Sequence, residues 1–192
     1  TVEGSQVVAL IKEEEPGVCS VGLRSSPEID VGAVARSFGG GGHNGSVLNK
    51  DGRLDIIFGR AHNVGLYWRE QLAPKADGTT QWKQHVIDES WSQAHALALA
   101  DLDGDGQEEL IAGKCIWAHN GNDPGAAEPT VVYYYKWDGK VSTFARHTIA
   151  AAGEGVALGR QFSVADLNGD GRPDIVAPSK HSLWLLINEG YK

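Results

Sequence analysis

The chain of 192 residues contains no methionine and only two cysteines, Cys19 and Cys115. The cysteines lack the close paired spacing of a zinc site, and two thiols cannot form a disulfide framework, so the redox compartment stays open. The missing methionine predicts a processed product or an excerpt. No run approaches the ~20 apolar residues that cross a bilayer, and Thr1-Val2-Glu3-Gly4 lacks the basic and apolar regions of a signal peptide. No membrane partner is therefore expected, and the location is unknown. Basic residues are outnumbered, 17 Lys+Arg against 25 Asp+Glu for a net charge of −8, which disfavours non-specific nucleic-acid binding. Hydrophobic residues at 41% and charged residues at 22% suit a soluble globular protein with a real core.

The first 46 residues and the remainder have different patterns. Gln6-Val7-Val8-Ala9-Leu10-Ile11-Lys12 and Val18-Cys19-Ser20-Val21-Gly22-Leu23-Arg24 read as two strands around the charged turn Glu13-Glu14-Glu15-Pro16-Gly17. Asp30 is placed to cap a short helix, with Val31, Val34, Ala35 and Phe38 at helical spacing and Gly39 as its stop. The run Gly39 to Ser46 is a Gly-rich loop whose backbone can approach a ligand closely.

From residue 47 the chain repeats. Asn49 to Ile57, Asp101 to Ile111 and Asp166 to Val176 align without gaps, with Asp51, Asp105 and Asp170 at equivalent positions, 54 and 65 residues apart. Each acidic loop precedes a β-rich aromatic run, and the first two units continue into Trp82-Lys83-Gln84-His85-Val86-Ile87 and Phe144-Ala145-Arg146-His147-Thr148-Ile149. Strands separated by turns predict a mainly β array of about three blades, near 47–90, 91–152 and 153–192, after a β-β-α element in 1–46.

Loops two and three carry oxygen side chains at relative positions 1, 3, 5 and 9: Asp101, Asp103, Asp105 and Glu109, then Asp166, Asn168, Asp170 and Asp174. Such alternation wraps oxygens around one hard cation, and Ca2+ fits best, with the position-7 carbonyls of Gln107 and Arg172 as further ligands. An EF-hand is excluded, because position 12 is Ala112 or Ala177 rather than Glu. The alternative is that Asp, Asn and Gly simply form turns. Loop one has Val47 at position 1 and keeps only Asn49, Asp51 and Asp55, so two calcium sites and a degenerate third are expected.

On these residues, 47–192 resembles FG-GAP/VCBS repeats, the calcium-loop blades of β-propellers and integrin-α-like heads. Trp91-Ser92-Gln93-Ala94-His95, His119 to Gly125 and Glu128-Pro129 further resemble bacterial propellers akin to that of aldos-2-ulose dehydratase, which implies carbohydrate as a ligand class. Val21 to Ser26, Ile29-Asp30-Val31 and Phe38 to His43 resemble the substrate-binding subdomain of DHH-family phosphoesterases. That resemblance implies a phosphate contact from Arg24 with Gly40, Gly41, Gly42 and His43, hence weak phosphate or short-nucleotide binding. The metal-binding catalytic domain of that family is absent. The two resemblances meet in mid-blade, which predicts a recombined or engineered chimera.

His119, Asp123 and Glu128 lie in an insertion of the second unit and, with His95, form a candidate ligand loop; a solvated loop shaped by Pro124 and Pro129 is the alternative. His85 and His147 recur at equivalent strand positions and read as structural. Trp68, Trp137 and Trp184 share the aromatic strand region and read as core. No complete catalytic set is visible, so a calcium-binding interaction module is expected, ahead of a structural chimera without evolved activity and of a lyase-like or phosphoesterase-like protein. Three blades cannot close a ring in the ordinary way, and open edges predict a homo-oligomer.

Overall fold

In the computed structural model the described residues are 7–15, 18–25, 49, 51–53, 55–116, 118–141 and 143–190, those of 7–15, 18–25, 118 and 119 by backbone alone. The chain divides into two compact units, Thr1–Ser46 and Val47–Lys192. In the first, β1 (Val7–Glu15) and β2 (Val18–Ser25) form an antiparallel hairpin running from Val7↔Ser25 to Glu15↔Val18. The charged run Glu13 to Glu15 belongs to the strand rather than to the turn. Ladder pairing uses backbone groups, so polar side chains do not prevent it. The helix expected after Asp30 lies outside the described residues.

The second unit is built of three antiparallel sheets. The first holds β3 (Ile56–Gly59), β4 (Val64–Leu72) and β5 (Gln81–Ser92). The second holds β6 (Ala94–Ala100), β7 (Glu109–Lys114), β8 (Val132–Asp138) and β9 (Thr143–Ala150). The third holds β10 (Ser163–Ala165), β11 (Asp174–Pro178) and β12 (Leu183–Leu186). The unit is mainly β, and β3, β7 and β11 each follow an acidic loop. Among the described residues, no helix is long and apolar enough to cross a membrane.

Two apolar clusters join neighbouring sheets. Ile57, Leu66, Trp68 and Trp91 pack with Leu110, Ala112, Val131 and Tyr135 between the first and second sheets. Ile111, Val132 and Leu158 pack with Ile175 and Ala177 between the second and third. Each fully buried large side chain of this kind stabilises by about 1.5–3 kcal/mol. The approach is close enough at Gly59 that an added Cβ would lie 2.4 Å from the Ala94 Cβ. A cavity of about 230 Å³ remains between the second and third sheets, lined by Leu102, Tyr134, Ile149 and Leu186 among others.

Register decides which aromatic residues correspond. Ile57 pairs with Trp68, Ile111 with Tyr134 and Val176 with Leu185, so these three are equivalent, and Trp137 and Trp184 occupy other positions. Trp68 and Tyr134 each stack on the histidine directly across the ladder, His85 at 4.3 Å and His147 at 4.6 Å between centroids. The recurring histidines are thus cross-strand packing partners.

A polar chain also clamps the first sheet to the second. Trp91 Nε1 donates to Tyr135 Oη at 2.8 Å, and Tyr135 Oη donates to Asp88 Oδ2 at 2.9 Å. Arg146 donates to the same oxygen at 3.0 Å, while the Ser90 amide and hydroxyl donate to Asp88 Oδ1 at 2.8 and 2.7 Å. Burial alone would raise the Asp88 pKa, but the bonds from Ser90, Tyr135 and Arg146 together outweigh it and hold the carboxyl below its ordinary value. A group whose pKa is lowered by folding stabilises above its unfolded value, and that stability is lost as pH falls through the folded value. Asp88→Ala is expected to cost about 2–4 kcal/mol at neutral pH, with the Tyr135 hydroxyl left without its acceptor, and the deficit relative to the parent should shrink below about pH 4. Urea unfolding across that pH range measures both.

Candidate functional site

Loop two joins β6 to β7 and loop three joins β10 to β11, and the two share one backbone design. In loop two, Asp101 Oδ1 accepts the amides of Gly104 at 2.7 Å and Asp105 at 3.1 Å, and its Oδ2 accepts that of Gly106 at 2.9 Å. In loop three, Asp166 accepts those of Gly169, Asp170 and Gly171 at 2.7, 3.2 and 2.9 Å. These bonds, that of Gly171 foremost, hold the Asp166 carboxyl below its ordinary pKa against the opposing effect of burial. Gly104 and Gly106 take φ of 76° and 84°, and Gly169 and Gly171 take 79° and 84°, a left-handed backbone that explains glycine at positions 4 and 6.

Position 9 is the buried anchor. Asp55, Glu109 and Asp174 are 0%, 1% and 0% exposed. Asp174 Oδ2 accepts the Leu167 amide at 3.0 Å and its Oδ1 the Asn188 amide at 2.8 Å, while Asp55 Oδ1 accepts the Gln71 amide at 2.9 Å. One carboxylate therefore fastens the loop, the inner ladder and the residue beyond it. Asn188 extends the link, donating from Nδ2 to the Leu102 carbonyl of loop two at 2.8 Å.

Loop two differs at this anchor. Glu109 Oε2 accepts the Leu102 amide at 2.8 Å, but Oε1 is buried and makes no hydrogen bond. Burial, reinforced by the charges of Asp103 and Asp105, pushes the Glu109 carboxyl above its ordinary pKa. Asp101, Asp103 and Glu109 each bring one carboxylate oxygen within 4.8 Å of the others. An all-oxygen set of this kind suits a hard divalent cation. Asp105 stands beside the trio, its Oδ1 accepting the Gln107 amide at 2.8 Å. In loop three, Asn168 Oδ1 accepts the Asp170 amide at 3.0 Å, its Nδ2 donates to Asp170 Oδ2 at 3.0 Å, and Arg172 also bonds that Asp170 oxygen.

Each loop also holds a cation of its own. Arg53 bonds Asp51 and donates from Nε to the Gln71 carbonyl at 2.7 Å. Arg172 repeats this at Asp170 and the Asn188 carbonyl, again at 2.7 Å. Loop two has Gln107 at that position, and its cation is Lys136 from β8. Lys136 Nζ bonds Asp103, lies 2.6 Å from Asp105 Oδ2 and is 3.8 Å from Glu109 Oε1. The bonds to Asp103 and Asp105 raise the Lys136 pKa. The sequence reading missed Lys136. Its signal lay in the repeat, because Glu70 and Ile187 stand at the equivalent register and only this unit places a lysine there.

The other ligand candidates gather at the opposite end of the strands. Asp123 Oδ2 is 3.1 Å from His62 Nδ1, and the His62 and His95 rings meet edge to face at 4.9 Å. Lys114, 1% exposed, donates to Ser92 Oγ at 2.8 Å, to Gln93 Oε1 at 3.4 Å and to the Gly125 carbonyl at 2.6 Å. Burial lowers its pKa, partly offset by the charge of Glu128. His62 and Lys114 were not anticipated, since neither belongs to the insertion. The backbone of His119 lies in a 3-10 turn, Ala118–Gly121. Arg24 is placed on β2 by backbone alone, and Gly40, Gly41, Gly42 and His43 lie outside the described residues.

Residues 48–112 match the FG-GAP-like repeat model, and residues 158–185 match that of the FG-GAP repeat. Both matches fall on the repeated acidic-loop units, which are FG-GAP-like. At the N-terminus, residues 1–47 match the DHHA1 domain. No curated protein and no solved structure matches the chain. The FG-GAP repeats point to a β-propeller-type interaction module.

The anchor role of position 9 predicts a cost independent of metal. With chelator present, Asp174→Ala should destabilise by about 2–4 kcal/mol through two unpaired backbone amides. Asp170→Ala, whose side chain is partly exposed, should stay within about 1 kcal/mol of the parent. Denaturant midpoints of the two variants check the contrast.

Proposed function

We propose that the second unit is a calcium-binding interaction module, with loop two taking Ca2+ through Asp101, Asp103 and Glu109, and loop three through Asp166, Asn168, Asp170 and Asp174. The observation that carries the reading is Glu109 Oε1, buried without a hydrogen bond on a carboxylate that comes within 4.8 Å of those of Asp101 and Asp103. A buried carboxylate oxygen with no donor is costly, and a divalent cation would satisfy it and relieve the repulsion among its neighbours. The ion would supply charge neutralisation and rigidity to the loops. Among the described residues no complete catalytic set accompanies the site, so we read the module as non-enzymatic, and the DHHA1-like segment before it is consistent with a chimeric chain. The expected result is a thermal midpoint several degrees higher in about 1 mM CaCl2 than in excess EGTA, with the gain reduced in Glu109→Gln. Identical midpoints, together with no binding heat in calorimetry, would overturn the reading.

The partner that the module takes is a second copy of this chain. The supporting observation is β12, the edge of its sheet among the described residues, with Leu183 67%, Trp184 38% and Leu185 58% exposed. Their register equivalents in β8 are Val132, Tyr133 and Tyr134, which are covered by β9; in β4 Leu66, Tyr67 and Trp68 are buried beside β5. An apolar edge with unpaired backbone groups invites strand addition. Antiparallel pairing of β12 with its own copy about a twofold axis can set Trp184 against Trp184 and Leu183 against Leu185. Light scattering should show association rising with concentration and abolished by Leu185→Lys. A parent chain that stays monomeric at high concentration would refute this.

A further inference from the structure

The three loops solve the same electrostatic problem with cations of different reach, which bears on how loop two would exchange metal. In loops one and three the guanidinium comes from the loop itself, Arg53 or Arg172, and is tied to a backbone carbonyl as well as to one carboxylate. In loop two the cation is an ammonium from the neighbouring strand, set between Asp103 and Asp105 and directed at the buried Glu109 oxygen. Three of its carboxylate neighbours are the residues to which a calcium ion would bind or lie adjacent. A lysine carries a compact charge on a flexible stem, so it can leave such a cluster without breaking the backbone design.

We infer that Lys136 is an internal counter-cation of loop two, occupying the metal position and exchanging with Ca2+, so that this loop keeps its fold without metal and binds calcium more weakly than its carboxylates alone would allow. The inference rests on the calcium reading above for its second half only. The first half, that Lys136 neutralises the acidic loop, stands on the distances. Displacement leaves the ammonium to water, a cost set against every calcium ion bound there. Loop three presents Ile187 at the equivalent register, and among the described residues no strand-borne cation enters it.

The experiment uses the full chain with Lys136→Met, which keeps the length of the stem, and Lys136→Arg, which keeps the charge. In excess EGTA, Lys136→Met should melt several degrees below the parent while Lys136→Arg stays near it, because only the former leaves the carboxylates without a counter-charge. In calcium, the Lys136→Met midpoint should recover to that of the parent or above. Calorimetry should show about tenfold or tighter binding at one site, corresponding to the removal of a competing unit charge. A Lys136→Met protein as stable as the parent in EGTA overturns the inference whether or not calcium binds. Loss in EGTA without rescue by calcium overturns the exchange and the calcium reading together, leaving the counter-cation role standing. Rescue with unchanged affinity overturns the exchange alone. Ile187→Lys provides the converse: it should weaken calcium binding in loop three, and unchanged binding there would count against competition by a strand-borne ammonium.

Discussion

Each sheet of the second unit depends on a carboxylate buried where its acidic loop enters the ladder. Asp55, Glu109 and Asp174 are almost wholly removed from water, and a charge so placed is tolerated only when donors surround it. Asp174 takes amides from both its loop and the segment beyond β12, Asp55 takes that of Gln71 in β4, and Glu109 takes that of Leu102 in its loop, so each carboxylate ties the ladder to a neighbouring stretch of backbone. The paired register of β3 with β4, β7 with β8 and β11 with β12 follows from that anchor as much as from apolar packing. Because the anchor is acidic and its loop contributes further carboxylates, every unit also needs positive charge nearby.

The packing between sheets builds on that frame. Once register is set, Trp68 faces His85 and Tyr134 faces His147, and Trp68 with Leu66 also meets Leu110 and Tyr135 of the neighbouring sheet. The network through Trp91, Tyr135, Asp88 and Arg146 adds a directional link that apolar contact lacks. Among the described residues the third sheet has no strand beyond β12, and Leu183 and Leu185 face solvent. Apolar residues on an edge strand mark a surface that association would cover.

Much of this was legible in the residues. The gapless alignment of three acidic loops, glycine at positions 4 and 6, and the β-rich runs after them gave the repeat, the strand character and the candidate ligands, because turn geometry and ladder formation are local. The hairpin of β1 and β2 was legible for the same reason, although its first strand runs through three glutamates that looked like a turn. The tryptophans were harder. Trp68, Trp137 and Trp184 share a region but not a register, and a shift of one residue turns a side chain to the other face of a sheet.

The sequence by itself determined the repeat, the acidic loops and the alternation of strands and turns, since each is written within a dozen consecutive residues. Only the tertiary structure decided which charges meet. Lys136 lies 27 positions after Glu109 in the chain and enters its loop through the pairing of β7 with β8; His62 reaches Asp123 and Lys114 reaches Ser92 by the packing of separate strands and loops. Electrostatic partnership falls off over a few ångströms, so it is set by ladder register and sheet packing rather than by distance along the chain.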